Sequence, residues 1–384
     1  MASSNANNQG DLSKDATLDN PPEDSISELA WSPVANHLAV ASWDNSIRVY
    51  DLSHSVKGEG KALFSFPSPA LSCAWWPDGS KVVGAGADGS ARLLDLASGN
   101  LNSAQQVAQH DAPVRAVRMA QIPNSQCPIA VTGSWDHEVK YWDLRQSTPI
   151  GTLQCPERVY AMDIRGSQLL VATAGRHIGL VDLNRPTTFA EALQSPLKHQ
   201  TRTVCWIPDG SGYGVGSIEG RCGISYIDES KSLNFTFRCH RNPKDNDPKS
   251  QSVYAVNAVS FHPRYHTFST SGSDGTFCFW DKDAHHRLKA FPIVGGSITS
   301  TAFNMDGSIF AYGVGYDWSR GYAYNTRDHP NKIGLHPVSD TESNLPDHVP
   351  YCHASNKTAK SANLEISPLQ ALVLGVLLSE ETPP

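Results

Sequence analysis

Residues 134–144 read SWDHEVKYWDL, and residues 42–52 read SWDNSIRVYDL. In each, a small residue leads into a turn carrying an acid, and a strand of alternating residue types then ends in aromatic-Asp-Leu. A period of two marks a half-buried β-strand, and the acid before it stands where a tight hairpin turn belongs. The phrase returns as GADGSARLLDL (86–96), TAGRHIGLVDL (173–183), SIEGRCGISYI (217–227), GSDGTFCFWDK (272–282) and GYDWSRGYAYN (315–325). With the aspartate-equivalent positions at 51, 95, 143, 182, 226, 281 and 325, successive copies lie 39 to 55 residues apart. That spacing suits four-stranded blades of about 40 to 45 residues with extra residues in loops.

A second element precedes the copies, as in SISELAWSP (25–33), LSCAWWPDG (71–79), RTVCWIPDG (202–210), AVNAVSFHP (255–263) and SITSTAFNMDG (297–307). These stretches alternate and stop at Pro or Asp-Gly, which is a strand followed by a turn. Seven copies in one array predict an all-β, seven-bladed β-propeller over residues 14–339. A ring must close, and residues 14–20 are placed to supply the outer strand of the last blade, which would remove an aggregation-prone free edge. The array itself ends near Asn325. Segment 1–13 reads as disordered. Residues 340–384 show no repeat and read as a divergent, unfolded tail, although the run Leu369 to Leu378 also fits a short docking helix.

Composition agrees with that architecture. The 384 residues include 29 Gly and 25 Pro with only 18% charged residues, a balance for turns rather than long solvated helices. Nine Trp and twelve Tyr are more large aromatics than a disordered chain carries. The net charge of −7 argues against the whole chain serving as a nucleic-acid glove, so any RNA contact would need a local basic patch. Eight cysteines form no C-x-x-C pair, which disfavours zinc knuckles and thioredoxin-like chemistry and makes reduced thiols inside a cell the expectation. The polar N-terminus lacks an apolar signal region, and the longest apolar run is about half a membrane span, so neither secretion nor membrane insertion is expected.

Two sets of residues resemble catalytic triads: His110, Asp136 and Trp142 with Ser134 or Thr132, and His240, Asp274 and Trp280 with a nearby Ser or Thr. The same types at the same relative positions in two blades argue against a unique active site. A buried polar network that ties loop to blade explains them better. There is no G-x-S-x-G elbow, P-loop, H-E-x-x-H or dinucleotide fingerprint, so no enzyme, cofactor or metal site is read here.

The placement of aromatics is more telling. The residue before the turn acid is Trp43 in the first copy, Trp135 in the third and Tyr316 in the seventh, and Trp318 follows the acid of the seventh. Hairpin tips are usually exposed, and Trp, Tyr and Arg dominate binding hot spots. The alternative is that these rings pack on the next blade's loop. A second feature is NFTFRCHR (234–241), whose Arg238 and Arg241 lie three apart and so face opposite sides of a strand, leaving one free for a partner carboxylate.

The phrases PPEDSISELAWSP, LAVASWDNSIRVYDL, GSWDHEVKYWDLR, NFTFRCHR, YAVNAVSFHP, GSDGTFCFWDKD and YDWSRG, in that order, resemble the nuclear mRNA export factors of the nuclear pore. These are WD-repeat propellers, close to a WD-repeat protein of the mitotic spindle checkpoint. The resemblance runs from about residue 14 to 335. It implies a non-enzymatic adaptor at the nuclear pore and envelope rim that clamps a GLEBS-type segment of the Gly-Leu-Phe-Gly nucleoporin across its top face. It further implies contact with messenger ribonucleoprotein and single-stranded RNA. Arg241, Arg221 and Arg238 are the implied contacts for acidic residues of that segment, and Trp43, Trp135, Tyr316 and Trp318 the aromatic lining. The alternative within the resemblance is a kinetochore scaffold for the corresponding segments of checkpoint kinases. Relatives end soon after the stretch matching HPNKIGLHPVS, often in a basic tail, whereas this chain continues with an acidic and then apolar one.

Overall fold

The computed structural model describes residues 8–98, 103–121, 127–227, 233–244, 247–326, 328–339 and Glu342. The two-residue strand β1 (Ala16–Thr17) comes first in the chain. The first blade is β2 (Ile26–Trp31), β3 (His37–Ser42), β4 (Ser46–Asp51) and β5 (Glu59–Ser65), and the second is β6 (Ala70–Trp75), β7 (Lys81–Gly86), β8 (Ser90–Asp95) and β9 (Gln105–Gln109). The third is β10 (Val114–Ala120), β11 (Ile129–Ser134), β12 (Glu138–Trp142) and β13 (Gly151–Gln154), and the fourth β14 (Val159–Arg165), β15 (Gln168–Thr173), β16 (His177–Asp182) and β17 (Glu191–Gln194). The fifth is β18 (Thr201–Trp206), β19 (Gly212–Ser217), β20 (Arg221–Tyr226) and β21 (Phe235–Arg238). A hairpin, β22 (Arg241–Lys244) and β23 (Asp247–Val253), separates it from the sixth blade, β24 (Val256–Phe261), β25 (Thr267–Gly272), β26 (Phe277–Asp281) and β27 (His286–Ala290). The seventh is β28 (Ile298–Phe303), β29 (Ile309–Val314) and β30 (Lys332–Pro337), closed by β1. The result is the expected all-β, seven-bladed propeller.

Closure follows the expectation for residues 14–20. β1 pairs antiparallel with β30, Ala16 opposite Leu335 and Thr17 opposite Gly334. An ionic clasp reinforces it: His336 Nδ1 lies 2.6 Å from one Asp15 oxygen, and the Tyr312 hydroxyl donates to the other at 2.7 Å.

Two expectations need correction. The third strand of the seventh blade is β30, not residues 318–325, where the chain instead makes a 3₁₀ turn at Tyr322–Tyr324. Two left-handed residues, Trp318 (φ 60°) and Gly321 (φ 82°), turn the chain out of the sheet direction there. Segment 1–13 is also not disordered throughout, because Gln9 bridges Ala290 in parallel and Leu12 packs on the cluster around Phe277 and Phe291. Residues 1–7 lie outside the described residues. So does the tail 340–384 except Glu342, whose carboxylate reaches Ser339 at 2.7 Å and His336 at 3.5 Å.

Among the described residues each interface between neighbouring blades carries its own cluster of buried hydrophobic side chains. Apolar residues from both faces of each strand are therefore needed, which accounts for strands such as β6 that are buried at every position. Indoles staple neighbouring blades together. Trp75 donates to the Ala30 carbonyl (2.8 Å), Trp31 to that of Ala302 (3.1 Å) and Trp206 to that of Asp163 (3.3 Å). No helix among the described residues is long and apolar enough to cross a membrane.

Candidate functional site

The turn acids of the repeats do local work. Asp44, Asp88, Asp136, Asp274 and Asp317 each accept the backbone N–H two residues on, at 3.0 to 3.2 Å. Between the acid and the residue that donates to it sits a left-handed residue: Asn45, Gly89, His137, Gly275 and Trp318. Such a turn sends the hairpin back along its own blade. It presents the residue before the acid at one end of the propeller, the top face, where the loops from each fourth strand to the next blade also lie.

Two of the four aromatics expected at these tips stack on each other. The rings of Trp43 and Trp318 are 4.0 Å apart at 27°, and Tyr316 lies 5.5 Å from Trp318. With Trp135, which is 39% exposed, they wall a cavity of about 330 Å³ whose other sides include Leu71, Ala87 and Pro113. Tyr316 departs from the expectation of an exposed tip. It is buried, its hydroxyl donates to the Gly321 carbonyl (2.9 Å) and accepts the Arg320 N–H (3.1 Å), and its ring stacks on His329. It therefore shapes the loop that carries Trp318.

The floor of the cavity was not legible from composition. In all seven blades the pairing of the first and second strands slips by one residue at the same place. A bulge leaves one residue unpaired and re-aims its side chain. The unpaired residues are Ser27, Leu71, Arg115, Tyr160, Arg202, Asn257 and Thr299. Six of them, all but Tyr160, line the aromatic cavity, and Tyr160 joins five of the six in the channel space below it. Deeper still, Arg118 bridges Glu28 (2.8 Å) and Asp163 (3.9 Å).

Arg221, Arg238 and Arg241 gather elsewhere on this face, with Lys198, in a groove of about 440 Å³ that holds one carboxylate, Glu219. Arg221 and Arg238 stand directly opposite on β20 and β21. The expectation that Arg238 and Arg241 face opposite sides fails, because β21 ends at Arg238 and the chain reverses at the left-handed His240 (φ 48°). Arg241 donates to the carbonyls of Glu219 (2.6 Å) and Gly220 (3.3 Å). Gly220 (φ 61°) has no room for a side chain there, since a Cβ would stand 2.7 Å from the Cys239 carbonyl oxygen.

The triad-like sets form matching networks beneath the face. In the third blade His110 Nδ1 donates to Asp136 (2.7 Å), leaving Nε2 to accept the Thr132 hydroxyl (2.7 Å), which itself accepts the Trp142 indole N–H (2.7 Å). In the sixth His240, Asp274, Thr270 and Trp280 repeat it at 2.9, 3.0 and 2.9 Å. Thr132, rather than Ser134, is the hub. Burial opposes protonation of His110 and pushes its pKa down against the pull of Asp136. Among the described residues His110, Asp136 and Glu138 bring three ligand-type atoms within 4.8 Å, but both His110 ring nitrogens are already engaged in the network.

Comparison with known proteins agrees with this geometry. Residues 14–51, 102–143 and 247–281 match the family described as WD domain, G-beta repeat. The chain is 63% identical to the WD40 repeat protein poxJ of Penicillium oxalicum over 336 residues, 87% of this chain and 96% of that one. It is 51% identical to the mRNA export factor GLE2 of Chaetomium thermophilum over 87% of this chain and 93% of that one. It is 52% identical to the Poly(A)+ RNA export protein of Schizosaccharomyces pombe over 88% of this chain and 94% of that one. The propeller, its turn acids and likenesses that span 87 to 88% of its length together show that the chain belongs to the WD-repeat family of mRNA export factors.

Proposed function

We propose that this chain is a non-enzymatic adaptor in mRNA export that works at the nuclear pore and envelope rim. Its top face docks an extended GLEBS-type segment of the Gly-Leu-Phe-Gly nucleoporin. The observation that carries the reading is the pairing, on one face, of an aromatic cavity walled by Trp43, Trp135 and Trp318 with a groove of Arg221, Arg238 and Arg241. Large aromatics supply buried area at little entropic cost, and Arg reads carboxylates bidentately, so an acidic peptide with apolar anchors is the matching partner. The His-bearing networks are satisfied within the blades, which leaves them to stability rather than turnover.

Messenger ribonucleoprotein is the proposed cargo, with single-stranded RNA held by local basic residues rather than the net-negative whole. The test is titration of the full chain with a synthetic GLEBS-type nucleoporin peptide alongside Trp43→Ala. Tight binding that the variant loses supports the adaptor. No binding by the wild-type chain overturns it. The second reading, a kinetochore scaffold for checkpoint kinases, uses the same face; recruitment to unattached kinetochores without a nuclear-rim signal would favour it.

A further inference from the structure

We propose that Arg115 and Arg202 form an anion seat at the floor of the aromatic cavity, taking one Glu or Asp side chain of the segment docked across the top face. This rests on the docking reading above and places a charge-reading element at the centre of the face, apart from the groove of Arg221, Arg238 and Arg241.

The ring of seven bulged residues is the starting point. It holds two cations, Arg115 and Arg202, and no acid. Neither guanidinium has a salt-bridge partner within 4.0 Å among the described residues, although the Asp317 carboxylate, which also lines the cavity, attracts Arg202 from farther off. Arg115 donates to the Leu71 carbonyl at 3.2 Å, and Arg202 to Asn257 Oδ1 at 3.1 Å and the Asp317 carbonyl at 2.8 Å. Glu28, the carboxylate that attracts Arg115, is already taken: it accepts Arg118 at 2.8 Å, the Cys73 N–H at 3.2 Å and the Ser72 hydroxyl. The contrast with Arg118 is informative. That side chain, facing Glu28 and Asp163, keeps its proton more firmly than usual in spite of burial, whereas burial lowers the pKa of both Arg115 and Arg202. Two half-buried guanidinium groups with unfilled donors favour a ligand that completes their hydrogen bonds.

A second observation points to the same ligand. Trp318 lines this cavity, and its indole N–H is buried with no acceptor. It is held there by a left-handed backbone, unfavourable for so bulky a residue. Buried donors without partners are rare in folded proteins. A carboxylate offers several lone pairs, enough for a guanidinium and an indole together. The walls of Leu71, Ala87, Pro113 and the indoles suit the methylene stem of an acidic side chain, and about 330 Å³ accommodates one such residue with its neighbours.

The test is calorimetric titration of the full chain with a GLEBS-type nucleoporin peptide and with versions carrying single Glu→Gln or Asp→Asn changes. Wild type, Arg115→Gln, Arg202→Gln and Trp43→Ala are compared, with thermal melting as the folding control. The seat predicts that Arg115→Gln weakens binding about tenfold or more. It also predicts that one peptide substitution costs wild type as much yet costs Arg115→Gln nothing further. A folded Arg115→Gln that binds as wild type, or losses that add for every peptide acid, overturns the seat while binding that depends on Trp43 leaves the docking reading standing. A peptide that no variant and no wild-type chain binds overturns both. Should Arg115→Gln fail to fold, Arg202→Gln and the peptide series decide, and a peptide indifferent to every acid-to-amide change rejects the seat. A parallel titration with an oligouridylate separates RNA from peptide: if Arg115→Gln lowers its binding and leaves the peptide's intact, the cations read phosphate and the carboxylate assignment falls.

Discussion

Trp318 stacks on Trp43 at 4.0 Å, joining the seventh blade to the first at the mouth of the central channel. The position it occupies is the left-handed one that Gly89, Gly220 and Gly275 fill in other blades. A tryptophan there carries backbone strain that glycine would not, so its presence trades stability for a ring at the mouth.

Replacing Trp318 by Gly separates these two roles. The substitution relieves strain of about 1 to 2 kcal/mol and forfeits stacking and burial of similar size, so unfolding free energy should move by less than about 1 kcal/mol. Affinity for a GLEBS-type peptide should fall at least about tenfold. Chemical denaturation read beside peptide titration checks both. A large loss of stability with affinity preserved would make the ring structural.

Thr132 is the hub of the third-blade network, accepting from Trp142 while donating to His110. Thr132→Val keeps the shape, removes both bonds and leaves a buried indole N–H and a buried imidazole nitrogen unpartnered. The expected cost is about 2 to 3 kcal/mol in urea unfolding. Peptide affinity of the folded fraction should stay unchanged, because nothing in the network reaches the cavity. Loss of binding at unaltered stability would contradict the structural assignment.

The closing clasp gives the chain a stability limit at high pH. Burial disfavours a charged His336, but Asp15 at 2.6 Å and Glu342 at 3.5 Å overcome it and raise its pKa to about 9. A raised folded-state value means that the stabilisation is complete below the unfolded value of about 6.5 and fades as pH climbs through about 9. Glu342 behaves conversely: burial opposes its charge, yet His336 and Ser339 bring its pKa down to about 2, so its share is present above about 4.5 and is lost as acid approaches 2. Wild type should lose on the order of 2 to 3 kcal/mol between pH 7 and 10. His336→Gln should begin lower and show a flatter alkaline limb in unfolding measured against pH. Parallel curves for the two proteins would show that the clasp does not titrate.

The repeat was legible because each blade spends its residues in the same way. The turn acid, the alternating third strand and the Pro or Asp-Gly stop recur wherever the same backbone is built, and the first six copies fall where the periodicity puts them. The seventh misled because Tyr316 and Asp317 start the same turn, after which Gly321 and the 3₁₀ turn Tyr322–Tyr324 carry the chain away before β30 completes the blade. The aromatics could be found because they break the polar habit of their position. Arg115 and Arg202 could not, since each sits in an ordinary alternating strand and a bulge from the sheet's twist, invisible to periodicity, aims it at the axis. The shared groove of Arg238 and Arg241 was hidden in the same way, by the reversal at His240.

The three arginines of that groove are not equivalent, which decides how to test it. Arg241 holds the carbonyls of Glu219 and Gly220, so Arg241→Glu removes a brace of the turn together with a charge, and a loss of binding there would not isolate electrostatics. Arg238 stands at the end of β21, opposite Arg221, in a groove it shares with Arg241 and Lys198, where among the described residues Glu219 is the one carboxylate. Arg238→Glu should therefore leave unfolding free energy within about 0.5 kcal/mol, because it relieves like-charge repulsion as it removes a cation. Its effect should appear in association. At low ionic strength the on-rate for an acidic GLEBS-type peptide should drop about threefold to tenfold, and the gap should narrow toward about 0.5 M salt as screening shortens the reach of the field. Stopped-flow association at three salt concentrations measures this. A deficit of the same size at every salt concentration would mean that Arg238 makes a fixed contact, and the groove would then be a seat rather than a steering surface.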